Sequence, residues 1–393
     1  MNIKQYAKIY PRINNDNILD FHIPESRFQV LLNDVKLHFK IKLPAKVSPH
    51  TWEFVPQNWF GAKQFSSLEV KINDEIVGHR NMSNEYFLAN YFNTIVNYQE
   101  GVINTGFDTL GITDSSNMTT AYIKQFPKTT LDNFISKRDK DMEIIMPIQS
   151  SVFLSNNILP SNLKWSLSFE RAKSTLSFLL TDVSVTLVDG DIDSVLKLED
   201  VYLTVPYLEH QRTKEKESNW LVKPISLHYD NYDIQRFVLP NGSKFARLNN
   251  IICGNLPKAV IFGIMKEDAY VGDYELNATH FTHHGLLKMD IKVDGCSTAG
   301  SPYEMTTNHA ATPYVRFMDL IGHYENPETC NVMSLQNFKQ YHYLHCACLE
   351  KESGSLSLEM EFGVDVPEGY IVIVCAITDT ELKIDKYGNF ETK

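Results

Sequence analysis

At 393 residues, with 43% hydrophobic and 22% charged side chains, the chain is long enough for about two to three domains of ordinary size, and no stretch of domain length is poor in hydrophobic residues and rich in charge. It can bury a core without help from disulfides or metals. A formal net charge of -11 argues against a phosphate-gripping groove as the main work of the surface, because such grooves need clustered Lys and Arg.

In chain order, the dominant pattern is alternation with a period of two, which places every second side chain on one face of a strand and marks half-buried antiparallel sheet. Val35, Leu37, Phe39, Ile41 and Leu43 alternate with polar or basic residues, and so do Leu68, Val70 and Ile72. A helix is predicted over Asn84 to Tyr98, where Phe87, Leu88, Tyr91, Phe92 and Ile95 recur at helical spacing behind a Ser83-Asn84 cap. Strands follow at Leu163 to Phe169, Val201 to Val205 and Met289 to Val293, then a short helix from about Tyr314, then a strand at Leu356 to Phe362. Tyr370 to Ile377 is apolar on both faces, which predicts a strand covered on both sides. Asn73-Asp74, Asp189-Gly190, Asn241-Gly242, Asp294-Gly295 and Ser353-Gly354 are expected turns. Many strands, many turns and few helices mean an all-β sandwich or barrel class.

The chain also repeats itself. Ser67 to Asp74 and Lys288 to Gly295 share the order apolar, acidic, apolar, Lys, apolar, turn, and each is followed by a short aromatic helical segment, Tyr86 to Ile95 and Tyr314 to Ile321. Each half then closes with an alternating strand, Leu163 to Phe169 or Leu356 to Phe362, and a more apolar one, Val201 to Val205 or Tyr370 to Ile377. Two copies of one β-unit are implied, at 1–205 and 223–393, joined by a connector at 206–222 whose core, Glu209 to Ser218, is almost wholly polar.

No phosphate-cradling glycine loop, zinc-protease helix motif or nucleophile elbow occurs, so no catalytic residue is assigned. His280, His283 and His284 stand in a polar stretch with Asn277, Thr279 and Thr282 that carries no helical pattern, and they read as surface histidines in a loop. If the segment around them is a strand, His342, Leu344, Cys346 and Cys348 share a face with ligand chemistry suited to zinc, but without a Cys-x-x-Cys turn they read as core residues. Whether His342, Cys346 and Cys348 bind metal stays open at this point; no metal or other cofactor is assigned. Glu267-Asp268 and the pair Asp191 and Asp193 read as solvated surface. All six cysteines (Cys253, Cys296, Cys330, Cys346, Cys348 and Cys375) lie in the C-terminal part and read as buried free thiols. The segment Met1 to Tyr6 lacks the apolar core of a signal peptide, and the longest apolar run, Tyr370 to Ile377, is far short of the roughly 20 residues that span a bilayer. The expectation is a protein made and folded inside a cell. Aromatic side chains, with 22 Phe, 19 Tyr and 4 Trp, stand in segments such as Trp52-Glu53-Phe54, Trp59-Phe60 and Tyr341 to Tyr343, where they suit interfaces and cores alike.

Leu256 to Met265 with Asp268 to Tyr274, continued by His280-Phe281 and Met289 to Gly295, resembles the major capsid proteins of Polinton or Maverick elements and of related adenovirus-like and virophage-like viruses. Asn84 to Tyr98 resembles that family's first-half aromatic helix, and Ile384 to Asn389 its closing segment. The sequence departs from the family at Leu276 to Phe281, where an Asn-Pro-Phe-x-Phe stretch is common. The resemblance implies an all-β fold of two tandem eight-stranded jelly rolls, a double jelly roll with short helices in its loops. It also implies a structural major capsid protein without enzymatic activity, which forms homotrimeric pseudo-hexagonal capsomers of an icosahedral double-stranded DNA virus or virus-like transposon. Its partners would be copies of itself, neighbouring capsomers, and penton and minor capsid proteins, with no sequence-specific nucleic acid contact, and its location the virion. A minor capsid, vertex or receptor-binding jelly-roll protein is the alternative within the class, and a β-sandwich metal-dependent enzyme or lectin the alternative outside it.

Overall fold

Period-two alternation decides where each strand turns its apolar side, and the computed structural model closes those sides into sandwiches. It describes residues 3–42, 54–57, 59–77, 85–97, 141–148, 150–154, 157–180, 197–208, 225–298, 301–304, 310–322, 335–385 and 390–392. Up to Leu208 the chain forms β1 (Ile3–Ile9), β2 (Ile13–Asn14), β3 (Ile18–Ile23), β4 (Gln29–Leu31), β5 (Lys36–Lys42), β6 (Phe54–Pro56), β7 (Phe65–Ile72), β8 (Glu75–Ile76), α1 (Glu85–Asn97), β9 (Asp141–Pro147), α2 (Ser151–Leu154), β10 (Ile158–Leu159), β11 (Trp165–Arg171), β12 (Phe178–Leu180) and β13 (Leu198–Leu208). From Ile225 it forms β14 (Ile225–Val238), β15 (Phe245–Asn255), β16 (Ala259–Lys266), α3 (Glu267–Val271), β17 (Leu286–Val293), β18 (Cys296–Ser297), β19 (Tyr303–Glu304), α4 (Ala311–Leu320), α5 (Leu335–Tyr341), β20 (Leu344–Cys348), β21 (Ser353–Phe362), β22 (Tyr370–Ile384) and β23 (Phe390–Thr392).

The two halves share one topology. In the first, β1, β13, β5 and β9 are neighbours in one sheet, and β3, β11, β7 and β8 in the other. In the second the corresponding orders are β14, β22, β16, β20 and β15, β21, β17, β18. With eight strands counted along each half, both give first-eighth-third-sixth facing second-seventh-fourth-fifth, which is the jelly roll. Ser67 to Asp74 and Lys288 to Gly295 are both fourth strands with the turn that follows, and the matching closing segments are both seventh and eighth strands.

The correspondence extends to the turns. Asn73 and Asp74 (φ 50° and 69°) and Asp294 and Gly295 (φ 51° and 78°) all take left-handed conformations, the demand of a two-residue hairpin whose twist matches its strands. In both halves the turn aspartate pairs with a lysine that leads into the seventh strand, Asp74 with Lys164 and Asp294 with Lys351.

In the first sandwich Phe39 of one sheet meets Phe65 of the other edge to face at 5.9 Å, and within the second of these sheets Phe21 of β3 meets Phe169 of β11 at 6.5 Å. In the second, the segments Ile371 to Ile377 and Ala259 to Met265 are buried along their whole length, so both faces of that sheet are covered, as the unbroken apolar run of β22 predicts. Three sequence expectations shift. Ser353-Gly354 is no turn but the start of β21, paired with Gly254 and Asn255, and α4 begins at Ala311 rather than near Tyr314. Of the cysteines, Cys346 and Cys375 are buried, whereas Cys253, Cys296 and Cys348 are exposed, because each of these three stands on the solvent side of its strand or at its end. The Ser83-Asn84 cap, Asp189-Gly190, Asp191 and Asp193, Cys330, Lys386 to Asn389 and Glu209 to Ser218 lie outside the described residues.

Candidate functional site: the seam between the two jelly rolls

Among the described residues, buried polar side chains gather where the two sandwiches meet. α1 forms because Tyr86, Phe87, Tyr91, Phe92 and Ile95 recur at helical spacing, but the helix is buried nearly all round. Its second apolar side serves the other half of the chain. The Tyr91 and Phe92 rings lie 5.4 and 5.8 Å from that of Phe281, and the Tyr91 hydroxyl shares a 2.8 Å hydrogen bond with Nδ1 of His342. Trp59 packs edge to face on Tyr91 at 5.0 Å, and its indole N–H donates to Thr94 Oγ1.

Phe281 is held from its own side. Its N–H donates to Tyr341 O, and it accepts from the N–H of Tyr343, so the chain from Asn277 to His284 is pinned beneath α5. Gly263 of β16 makes room for the ring: a Cβ there would lie 2.3 Å from Phe281 Cδ1. Gly272 answers a second close approach, since its φ is 107° and a Cβ would lie 2.4 Å from Thr175 Oγ1 of the first sandwich.

Gln57 is the polar joint. Its Nε2 donates to Phe178 O of the first sandwich and to Leu276 O of the second; its Oε1 accepts from Ala278 N–H and from Lys63 Nζ at 2.6 Å. Lys63 is 0% exposed, with the Phe87 ring 5.9 Å from Nζ, and burial holds its pKa well below the ordinary lysine value. Around the rim, Asn97 donates to Tyr232 Oη, Ser151 to Asn231 Oδ1 and Asn157 to His228 O, so α1, α2 and the following turn cover the edge strand β14.

The residues weighed for metal chemistry are dispersed around this seam. Asn277 and Thr279 are 2% and 1% exposed, so the segment is not a surface loop; its polar side chains satisfy its own backbone, as Asn277 Oδ1 does for Thr279 N–H. His280 contacts Gln340 O, His283 meets the Tyr343 ring, and His284 stacks on Tyr370 at 4.0 Å. Desolvation lowers the pKa of all three. His342 precedes β20 and joins Phe281 by one isolated bridge, so it does not continue the strand face that carries Leu344, Cys346 and Cys348. Burial pushes His342 and His345 down to about 3, and it pushes the Cys346 thiol up. Glu267 pairs with Arg236 at the surface. Among the described residues, no three His, Cys, Asp or Glu side chains are grouped so as to hold a metal, and no helix is long and apolar enough to cross a membrane. Gln57 and Lys63 carried no signal in the sequence, since neither belongs to an alternating strand or a recognisable motif.

No family profile matches the sequence. Uncharacterized protein F54H12.2 of Caenorhabditis elegans is 19% identical over 311 residues, 77% of this chain and 70% of that one. Among solved structures, the chain is similar to one in the cryo-EM structure of the Sputnik virophage (TM-score 0.65, 10% identity, 100% of this chain and 89% of that one). It is also similar to the mavirus major capsid protein (0.58, 11%, 100% and 91%) and to the Faustovirus major capsid protein (0.58, 8%, 96% and 90%). At these identities the likeness carries the fold: the chain is a double jelly roll.

Proposed function

We propose that this chain is a structural major capsid protein that trimerises into pseudo-hexagonal capsomers of an icosahedral double-stranded DNA virus or virus-like transposon, with Polinton or Maverick elements as its nearest setting. The observation that carries the reading is that one chain holds two jelly rolls of identical strand order, locked side by side by a buried seam. Three such chains present six roughly equivalent barrels, so a three-fold object can tile a hexagonal lattice with interfaces that close on themselves. Nothing in this scheme needs catalysis, and the protein is read as a non-enzyme of the virion shell. The two units are those read from the sequence, 1–205 and 223–393, with the first extended through Leu208, the end of β13, and the 206–222 connector shortened to match. Penton and minor capsid proteins are the expected partners beyond the chain itself.

Light scattering on the purified protein tests this: a stable species near three times 45.1 kDa is expected. A monodisperse monomer at every salt concentration and pH, or stoichiometric zinc lost on His342→Ala, would overturn it in favour of a lone binding protein or a metalloenzyme.

A further inference from the structure

The seam within the chain supplies a template for a contact between chains. β14 is the first strand and open edge of its sheet, pairing with β22 alone among the described strands, and its edge is covered by α1, α2 and Asn157 of the first sandwich. Its counterpart in the first sandwich is β1, which among the described strands pairs with β13 alone. Among the described residues Asp34 Oδ2 accepts a 2.7 Å hydrogen bond from the Tyr6 hydroxyl, yet Tyr6 stays 54% exposed and Tyr10 67%. An uncovered edge strand carrying aromatic side chains is a template for association.

The face beside it is ordered. Tyr10 packs on Tyr202 at 6.1 Å, Lys8 Nζ lies 4.4 Å over the Tyr202 ring, and His38 stacks beneath it at 4.5 Å. Rings fixed in this way lose little freedom when a partner arrives.

The covering elements also have a counterpart. α1 is the connection between the fifth and sixth strands of the first sandwich; in the second, that connection contains α4 and α5. Each presents one large exposed apolar side chain, Val315 at 41% and Leu335 at 45%.

We infer that the β1 face, centred on Tyr6, Tyr10 and Tyr202, is an interface for the α4 and α5 surface of a second copy of this chain. The inference rests on the capsid reading and specifies its geometry. The contact is head to tail, and rotation closes it into a ring in which every first-strand edge is covered, alternately from within the chain and from the next chain.

Two double variants test it, Tyr6→Asp with Tyr10→Asp, and Val315→Asp with Leu335→Asp, all at exposed positions, with mass read by light scattering and folding by thermal melting. Each variant alone is expected to be a folded monomer. An equimolar mixture is expected to form dimers of one copy of each, because each retains the face that the other has lost. If the wild type is a trimer and either variant remains one, or if the mixture stays monomeric, the assignment of these faces is overturned and the capsid reading stands. A monomeric wild type overturns both.

Discussion

Acidification should destabilise the fold through two buried histidines, His342 at the seam and His345 on β20. His342 and His345 are 3% and 2% exposed, and burial, reinforced by the neighbouring His280 and His283 respectively, pushes both down to about 3 from the ordinary 6.5. Between those values the unfolded chain binds protons that the folded chain refuses, so stability falls as pH falls through 6.5. At pH 5 each histidine is about 1.5 pH units below its ordinary value, which costs about 2 kcal/mol apiece and about 4 kcal/mol together. His280, His283, His284 and His38 are shifted in the same direction and add to the slope. Urea denaturation of the wild type and of His342→Asn with His345→Asn, at pH 7.5, 6 and 5, isolates the two residues. The double variant is expected to start less stable at pH 7.5, because the Tyr91 contact changes, yet to lose about 4 kcal/mol less than the wild type on going to pH 5. Parallel pH profiles for the two proteins would refute the reasoning.

Gly263→Ala forces a Cβ against Phe281 and Leu344, both rigidly packed, and is expected to lower stability by about 1–3 kcal/mol or more, read as a fall in melting temperature. Tyr91→Phe removes the hydroxyl bonded to His342 and is expected to cost about 1–2 kcal/mol in the same assay at pH 7.5. Lys63→Met removes an amine that folding desolvates, while Gln57 Oε1 keeps its bond from Ala278, so a gain of about 1–3 kcal/mol is expected at pH 7. That gain should shrink as pH rises toward about 10 and be gone above it, where the unfolded lysine has lost its own proton too.

The barrels were legible because a strand with one face in a core advertises itself by alternation. Leu68, Val70 and Ile72, and Met289, Ile291 and Val293, point into corresponding positions of their two sandwiches, and the turns after them share left-handed geometry. The seam was not legible, because alternation reports burial against a strand's own sandwich and says nothing about the neighbour. Tyr91 and His342 are 251 positions apart, and no local pattern links them. Asn277 to His284 looks like a surface loop in sequence because its polar side chains bond its own backbone, which is also what allows it to be buried. His342, Leu344 and Cys346 alternate as a strand face would, but the strand begins only at Leu344, and the α5 end sets the direction of His342 instead.

The most direct measurement is a cryo-EM reconstruction of the purified assembly without imposed symmetry. Six barrel-shaped densities around a three-fold axis, alternating between the two halves of the chain and joined on one side by the Tyr91 and Phe281 seam, are predicted. A particle with one barrel per chain at its perimeter, or with the two halves of the chain separated from each other, would contradict the account.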